Sequence, residues 1–226
     1  MSPAAPLRLV ILISGRGSNM TAIMRACLAG EINAQVALVI ADRAGAAGLA
    51  SARDLGAATT TVTRDQGPAA QADFEARLAT AIDAARPDVI ALAGFMRILS
   101  PGFVARYLGR MLNVHPSLLP AYRGLDTHRR ALEGGDSVHG ASVHYVTPEL
   151  DAGPVILQSR VWVRPEDTEA ALAARVLATE HVIYPRVLSW LAQQRLRWHD
   201  GAAWLDGARL TSPIVEDFRA ALASTR

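Results

Sequence analysis

The sequence predicts an α/β fold: an open, mostly parallel, twisted sheet with helices on both faces, followed by a small C-terminal hairpin. Short β-branched runs alternate with longer helical patterns over residues 1–94, a rhythm typical of parallel sheets joined by crossover helices. The strand candidates are continuous apolar runs, as in sheets buried on both faces. The 226 residues, half of them hydrophobic, are enough to bury one substantial core. We therefore expect a single domain over residues 1–226.

The first part of the chain contains four strand patterns separated by three helical ones. Strands are predicted from β-branched apolar runs, and helices from apolar residues that recur every three or four positions. In chain order these are a strand at 9–13, a helix at 21–28, a strand at 36–41, a helix at 48–55, a strand at 59–62, a helix at 74–85 and a strand at 89–93.

The rhythm changes after Gly94. A helix that starts at a proline and a short strand precede a His-rich loop region, and two further strands should extend the same sheet. A long helix follows, opened by acidic residues that suit a helix N-terminus, and two short strands around Asp200 and Gly201 form the hairpin. The predicted elements are a helix at 101–107, strands at 111–114, 138–146 and 155–163, a helix at 168–194, and hairpin strands at 197–199 and 203–205.

Composition excludes several classes of function. The formal net charge is only +2 and the chain has no Lys, so a Schiff-base lysine, a pyridoxal phosphate anchor and a lysine-containing P-loop are all absent. The thin excess of Arg does not suggest nucleic-acid binding. Cys27 is the single cysteine, which rules out an internal disulfide and suits a reducing compartment. Apolar runs are too short to span a membrane and no signal peptide is evident, so we expect a cytoplasmic protein.

Residues 14–19, SGRGSN, join the first strand to the first helix. Glycines permit a tight turn there, and free N–H groups at the start of the helix attract an anion such as a phosphate. Two alternatives stay open: a plain helix cap at Ser18 or Asn19, and a dinucleotide site with Asp42 on a ribose. The GxGxxG fingerprint is incomplete because Met20 occupies the place of its third glycine, which favours a monophosphate ligand.

The strand at 111–114 leads into a second candidate site. Asn113 and His115 are two residues apart, so they project from the same face where Pro116 ends the strand. Ligands bind at that end of strands in open α/β sheets. An amide that donates to an oxyanion and an imidazole that titrates near neutrality suit acyl transfer. The alternative is a structural histidine beside a proline.

A third cluster, residues 142–154, ends a strand in a loop that carries acids between turn residues. This loop is expected to bring Asp151 against His115, giving an imidazole with a carboxylate partner. The alternatives are a surface turn with a solvated Asp151 and Glu149, and His144 as a satisfied strand histidine. No HExxH, CxxC or GxSxG pattern occurs, so the sequence predicts neither a metal site nor a covalent nucleophile.

With these clusters assembled, the chain resembles the glycinamide ribonucleotide formyltransferases over nearly its whole length. The matching stretches are LISGRGSN (12–19), LAGFMRILS (92–100), LNVHPSLLP (112–120), GLDTH (124–128), GASVH (140–144) and ELDAGP (149–154). The resemblance implies a Rossmann-like formyltransferase fold. It implies a nucleotide-binding half at 1–94, a folate-binding and catalytic half at 95–200, and a C-terminal extension at 201–226.

The resemblance also implies roles for individual residues. The implied catalytic residues are Asn113, His115 and Asp151, with His144 in support. The ribonucleotide would contact Gly17, Ser18, Asn19 and Glu180. Folate would contact Met96, Arg97, Ile98, Leu99, Val146, Glu149 and Asp151. The implied substrates are glycinamide ribonucleotide and 10-formyltetrahydrofolate as formyl donor, with no metal, nucleic acid or membrane partner, in a monomer or homodimer.

Two positions depart from the family pattern. Several relatives carry an Arg before the third helix, near the folate tail, where this chain has residues 67–72 without one; Arg64 is the nearest cation. Ala152 follows Asp151 where Gly is frequent, which would stiffen the loop. No residue is assigned to the folate tail.

Three rival functions remain. A formyltetrahydrofolate hydrolase usually carries an extra N-terminal domain, whereas the first strand here begins by Leu9. A methionyl-tRNA formyltransferase needs a C-terminal tRNA-binding domain, for which we expect no room. A nonenzymatic nucleotide-binding module would use the first turn alone and leave Asn113, His115 and Asp151 without a role.

Overall fold

The computed structural model of the protein describes residues 5–218. Its helices are α1 Ser18–Leu28, α2 Gly48–Asp54, α3 Ala70–Ala85, α4 Pro101–Arg106, α5 Thr127–Glu133 and α6 Glu169–Ala192. Its strands are β1 Leu7–Ile13, β2 Ala34–Ala41, β3 Thr59–Thr61, β4 Val89–Leu92, β5 Met111–His115, β6 Val138–Tyr145, β7 Val155–Trp162, β8 Leu196–His199, β9 Ala202–Leu205, β10 Ala208–Arg209 and β11 Ile214–Asp217.

Eight strands form one sheet in the order β11-β7-β6-β5-β4-β1-β2-β3. Every neighbouring pair is parallel except the two that involve β6, which runs antiparallel to β5 and β7. The order β3-β2-β1-β4-β5 is that of the doubly wound nucleotide-binding folds, in which the strand order reverses between β1 and β4. The predicted open, mostly parallel sheet is confirmed.

Helices cover both faces of the sheet, as the apolar strands predict. Residues 9–13 of β1 are fully buried and alternate between two apolar clusters. Leu9, Ile11 and Ile13 pack towards α1, α2 and α6. Val10 and Leu12 pack towards α3 and α4. A strand covered on both sides has no polar face, which explains its continuous apolar sequence.

The structure differs from the predicted elements in three places. Helix α1 begins at Ser18 rather than at residue 21, because Gly17 adopts a left-handed conformation (φ 69°) and starts the helix directly after the turn. Helix α5 lies in the region predicted as a His-rich loop. Only Thr127 and Ala131 of α5 are buried, too few for a clear helical periodicity.

The third difference concerns the C-terminal segment. The predicted hairpin is present as β8 and β9, and β10 extends it to a three-stranded antiparallel sheet. Strand β11 then pairs in parallel with β7 at the edge of the main sheet. Part of the segment assigned to an extension, 201–226, therefore belongs to the main sheet; residues 219–226 lie outside the described residues. The division into functional halves stays a prediction.

Candidate functional site

The carboxyl ends of β1, β4 and β5 lie side by side, because these strands are neighbours and parallel. The loops that follow them carry the first two predicted site clusters and the 94–100 loop. The gap between β1 and β4, where the strand order reverses, is the usual ligand crevice of such sheets. Two hydrogen bonds tie two of these loops together: Ser14 N–H donates to the Gly94 carbonyl (3.1 Å), and Met96 N–H donates to the Ser14 side chain at Oγ (2.8 Å).

The glycine turn, residues 14–19, leads directly into α1. Gly17 is the N-cap and no side chain caps the helix, so the first N–H groups of α1 have no carbonyl partner within the helix. The alternative of a cap by the Ser18 or Asn19 side chain is therefore wrong. Asn19 is buried and its Nδ2 donates to Glu180 Oε2 of α6 at 2.6 Å. Asn19 Oδ1 is buried without a partner among residues 5–218.

Glu180 is a buried carboxyl next to this turn. Burial raises its pKa above the ordinary value for glutamate, and the hydrogen bond from Asn19 opposes that rise. The pair Asn19–Glu180 thus joins α1 to α6 and presents polar atoms beside the free N–H groups of the turn. Such a combination of donors and acceptors fits a phosphorylated ligand with hydroxyl groups.

Asp42, the proposed ribose ligand of a dinucleotide, has another partner. Its side chain is fully buried, and Oδ2 accepts a hydrogen bond from Arg97 Nε at 2.6 Å, while Oδ1 lies 3.4 Å from Arg43 Nε. Both oxygens of the Asp42 carboxylate therefore contact arginine side chains. The dinucleotide alternative therefore loses the acidic residue on which it depended.

Asn113 and His144 form a cross-strand pair. In the antiparallel register of β5 and β6 they stand directly opposite each other, with Asn113 Nδ2 3.2 Å from His144 Nε2. Burial lowers the pKa of His144 to about 4, so its ring is neutral at physiological pH. Nδ1 lies 2.9 Å from the Tyr145 carbonyl and must carry the proton, which leaves Nε2 to accept from the Asn113 amide. The orientation of Asn113 is thereby fixed.

His115 is buried with acceptors at both ring nitrogens. Nε2 lies 2.9 Å from the Tyr122 carbonyl, and Nδ1 lies 3.5 Å from Asp151 Oδ2. A neutral imidazole can donate from only one nitrogen, whereas a doubly protonated ring can donate from Nε2 to the Tyr122 carbonyl and from Nδ1 towards Asp151. The 3.5 Å between Nδ1 and Asp151 Oδ2 is longer than an ordinary hydrogen bond, so Nδ1 remains available to a closer partner.

Asp151 approaches the histidines from the loop between β6 and β7. It adopts a left-handed backbone conformation (φ 48°), which is uncommon for a residue with a side chain and concentrates at functional sites. Its Oδ2 accepts from Gly124 N–H at 3.0 Å. Oδ1 lies 3.8 Å from His144 Nε2, but that nitrogen carries no proton, so no hydrogen bond joins them. Oδ1 is the oxygen free to accept a proton.

Gly153 holds the base of this loop close to β6. A Cβ atom at residue 153 would lie 1.8 Å from the Tyr145 carbonyl oxygen, so only glycine fits there. The Tyr145 N–H also donates to the Pro154 carbonyl (3.1 Å). Because Tyr145 directly follows His144, the loop that carries Asp151 is fixed to the strand that orients Asn113.

A buried polar network holds the segment after His115. Ser142 Oγ donates to the Ser117 carbonyl (2.6 Å) and accepts from Leu119 N–H (3.0 Å). Gln158 Nε2 donates to Ser142 Oγ (2.9 Å) and to the Leu119 carbonyl (2.8 Å). A satisfied network of this kind rigidifies the backbone, here the backbone that leads from His115 to the Tyr122 carbonyl.

A cavity of about 450 Å³ opens beside these residues. Asn113, His115, His144 and Asp151 contribute to its wall. The rest of the wall is largely apolar and includes a cluster of exposed aliphatic side chains, as is typical of ligand-binding grooves. These side chains are Met96, Ile98, Leu125 and Leu150, with exposed fractions of 63%, 74%, 75% and 51%.

The model brings most of the predicted residues into two adjoining groups. Asn113, His115, His144 and Asp151 share the cavity wall with Met96, Arg97, Ile98, Leu99 and Val146. Gly17, Ser18, Asn19 and Glu180 lie together at the glycine turn. Glu149 is the exception. Its carboxylate is exposed, bonds to Arg123 Nη1 at 2.7 Å, and is absent from the wall.

Sequence reasoning missed several groups that shape the site. The Tyr122 carbonyl and the Gly124 N–H act through the main chain, which leaves no signature in the sequence. Ser142 and Gln158 were detectable, because a buried polar residue inside an apolar strand requires a partner. Leu125 and His128 also line the cavity; they belong to the stretch 124–128, which carried part of the resemblance but received no role.

Two negative observations apply to residues 5–218. No group of three or more His, Cys, Asp and Glu side chains in this range is placed to hold a metal ion. No helix in the same range is long and apolar enough to cross a membrane.

Comparison with known proteins identifies relatives along nearly the whole chain. Residues 7–188 match the family model for formyl transferases. The chain is 53% identical over 204 residues to phosphoribosylglycinamide formyltransferase of Escherichia coli (strain K12), covering 90% of this chain and 96% of that protein. The solved structure of phosphoribosylglycinamide formyltransferase from Coxiella burnetii superposes with a TM-score of 0.88 at 48% identity, covering 93% and 99% of the two chains.

A formyltetrahydrofolate deformylase from Pseudomonas syringae shares the architecture at a greater distance. Its TM-score is 0.82 at 27% identity, and the match covers 89% of this chain and 66% of that protein.

We expect the His144 ring to remain neutral, with its proton on Nδ1, between about pH 5 and pH 8, because burial lowers its pKa to about 4. Nitrogen-15 NMR of the imidazoles, assigned with a His144→Asn variant, measures the tautomer. On acidification, His144 takes up its second proton in the unfolded chain before it does so in the folded protein, because its folded pKa is lower. The free energy of unfolding therefore decreases as the pH falls from 6.5 towards 4. A doubly protonated His144 at pH 6 would contradict this assignment.

We expect Gly153→Ala to lower the free energy of unfolding by about 1–3 kcal/mol, the usual range for overpacking, because its Cβ meets the Tyr145 carbonyl. Formyl transfer should fall with it, since the Asp151 loop must shift. Denaturant unfolding and turnover measure the two effects. The neighbouring change Ala152→Gly, which creates no close contact, is the control: it should lower the free energy of unfolding by only about 0.4–1 kcal/mol and leave turnover nearly unaltered. A Gly153→Ala protein with normal stability and turnover would show that the loop does not depend on this close approach.

Proposed function

The chain belongs to the phosphoribosylglycinamide formyltransferases of the formyl transferase family, and from that premise we propose which of its residues carry the reaction. It transfers a formyl group from a folate donor to glycinamide ribonucleotide in de novo purine biosynthesis. The observation that carries the residue assignment is the convergence of Asn113, His115 and Asp151 on one cavity wall, beside a turn suited to phosphate.

We place the phosphate of the ribonucleotide at the glycine turn. The N–H groups of Gly17, Ser18 and Asn19 face the anion at the start of α1, and Glu180 accepts from a ribose hydroxyl. Strand β4 lies between β1 and β5, so the ends of these two strands are roughly 10 Å apart, twice the spacing of neighbouring strands. The ribose and glycinamide moieties span this distance, which brings the amine to Asn113 and His115.

The folate donor, 10-formyltetrahydrofolate, occupies the apolar cavity. Its pterin lies along the 94–100 loop, against Met96, Ile98 and Leu99 and the main chain of Arg97. Val146 and the loop of Asp151 close the other side. Since the Glu149 carboxylate is engaged by Arg123, we assign Glu149 a main-chain role in shaping this loop.

The reaction begins when the neutral amine attacks the formyl carbon. The carbonyl oxygen gains negative charge in the tetrahedral species. Asn113 donates to it through the second N–H of an amide whose first N–H is held by His144, and the cationic His115 donates through Nδ1–H. Preorganised donors aimed at a developing oxyanion are commonly the largest catalytic contribution.

Collapse of the tetrahedral species requires a proton transfer. The amine nitrogen loses one proton as it becomes an amide, and the folate N10 gains one as its bond to the formyl carbon breaks. Asp151 Oδ1, which accepts no hydrogen bond from residues 5–218, accepts the proton and returns it to N10, directly or through water. No proton is gained or lost overall, and the ionised Asp151 carboxylate stabilises the cationic His115 before and after this relay.

The remaining expectations follow from the family and belong to this proposal. The protein acts in the cytoplasm on two small-molecule substrates, as a monomer or homodimer, without a metal.

We predict that His115→Ala and Asp151→Asn each lower the rate of formyl transfer by about 10²–10⁴-fold, the usual loss when a positioned acid–base group is removed. The assay follows transfer from 10-formyltetrahydrofolate to glycinamide ribonucleotide with both substrates saturating. The exposed pair His199 and Asp200, 3.1 Å apart, supplies matched controls: His199→Ala and Asp200→Asn should leave the rate unchanged. Near-normal turnover of either site variant would disprove the assignment.

We predict opposite effects of Glu180→Gln on stability and on binding. Burial raises the pKa of this carboxyl, so its ionised form costs folding free energy at neutral pH, and that cost disappears as the pH falls and the carboxyl is protonated. Removing the charge should raise the unfolding temperature at pH 7, where 1 kcal/mol corresponds to about 2–4 °C for a domain of this size. The Michaelis constant for the ribonucleotide should rise.

Scanning calorimetry at two pH values measures the stability gain, which should shrink under acidic conditions. Glu149→Gln, at an exposed glutamate, is the control and should change neither quantity appreciably. A Glu180→Gln protein that is less stable at pH 7, or that binds the ribonucleotide normally, would contradict this role.

A further inference from the structure

We infer that the buried carboxylates of Asp42 and Glu75 are positioning residues for the folate donor: they hold the 94–100 loop from its two sides and so set its affinity for folate. This inference rests on the proposed function, because that function places folate on the loop. Neither residue lines the cavity, so both act through the loop and not on the substrate.

Glu75 holds the C-terminal side of the loop from helix α3. Its Oε1 accepts from Ser100 N–H at 2.6 Å and its Oε2 accepts from Ser100 Oγ–H at 2.5 Å. Ser100 Oγ also caps α4 by accepting from Phe103 N–H (3.2 Å). The carboxylate therefore fixes the residue at which the loop ends and the next helix begins.

Gln71, which lies one turn before Glu75 on α3, makes a further contact with the loop. Its Nε2 donates to Glu75 Oε1 (2.5 Å) and lies 3.2 Å from the Ile98 carbonyl. Ile98 is the most exposed side chain of the loop, so packing does little to hold it. The hydrogen bonds from α3 supply the restraint that packing does not.

Asp42 holds the middle of the loop from the end of β2. Its fully buried side chain binds Arg97 Nε at 2.6 Å, between the two cavity-lining residues Met96 and Ile98. Hydrogen bonds that involve an ionised group are roughly twice as strong as neutral ones. A buried carboxylate that loses its partner is also costly, so the two groups hold each other in place.

The loop thus presents two exposed aliphatic side chains to the cavity, while the side chains that bond to it, those of Ser14, Asp42, Gln71 and Glu75, are not part of the cavity wall. Without these contacts, Met96 and Ile98 would have to fold back onto the protein surface, and the flat apolar wall for the pterin would be lost. Preorganisation of this kind contributes to affinity because the loop does not have to be ordered on binding.

The test compares Glu75→Ala, Glu75→Gln and Asp42→Asn with the unaltered protein. Calorimetric titration with tetrahydrofolate, the deformylated product, measures folate binding without turnover, and steady-state kinetics give the Michaelis constants for both substrates. We expect Glu75→Ala to weaken tetrahydrofolate binding at least about tenfold, the effect of one hydrogen bond to a charged group. The Michaelis constant for the ribonucleotide should change less than about twofold. Glu75→Gln and Asp42→Asn each keep one acceptor oxygen but lose the charge, and their binding should be intermediate.

Asp83→Asn is the matched control. Asp83 lies on the same helix, about 12 Å further along it, and its carboxylate also accepts hydrogen bonds, from Tyr107 Oη (3.0 Å) and from Arg106. It should alter stability without altering tetrahydrofolate binding. If Glu75→Ala does not fold, Glu75→Gln and Asp42→Asn carry the test.

Unchanged tetrahydrofolate binding in the Glu75 and Asp42 variants, or equal weakening of both substrates, would overturn the inference while leaving the proposed function intact. Failure of the unaltered protein to bind tetrahydrofolate would overturn the proposed function, and this inference with it.

Discussion

The hydrogen bond between Asn113 and His144 is the interaction on which the rest of the site depends. It exists because β6 runs antiparallel beside β5, in a register that sets the two residues opposite each other. Burial keeps His144 neutral, so its Nε2 can only accept and the Asn113 amide can only point one way. A bulge in the β6–β7 pairing falls at Val143 and His144, as bulges often do next to active sites.

A second feature of the fold brings together the two regions assigned to the substrates. The strand order reverses between β1 and β4, and the loops that follow them open at the same edge of the sheet. Ser14 belongs to the glycine turn, yet its N–H and Oγ bond to Gly94 and Met96 of the neighbouring loop. One serine therefore connects the region assigned to the ribonucleotide to the region assigned to folate. Such a connection suits a reaction that requires both substrates in a fixed orientation.

The sequence predicted the sheet and the placement of Asn113, His115 and Asp151 on one cavity wall, for identifiable reasons, while the roles of these residues stay a prediction. Apolar strands and a glycine turn have local signatures, and Asn113 and His115 share a face by simple alternation. The meeting of Asp151 with His115 depends on a left-handed residue and on Gly153, neither of which periodicity reveals. Packing between segments distant in sequence determines which groups bond to Asp42 and Glu75 and where the Tyr122 carbonyl lies. Strand β11 joins the main sheet only after the chain has passed through α6 and the small antiparallel sheet.

Deformylation of 10-formyltetrahydrofolate, followed by absorbance with and without glycinamide ribonucleotide, tests the central claim most directly. If the ribonucleotide fixes the amine against the formyl carbon between Asn113, His115 and Asp151, deformylation requires it and one formyl group appears on the amine per folate released. Deformylation at the same rate without the ribonucleotide would mean that water is the acceptor, as in a deformylase, and would contradict the account.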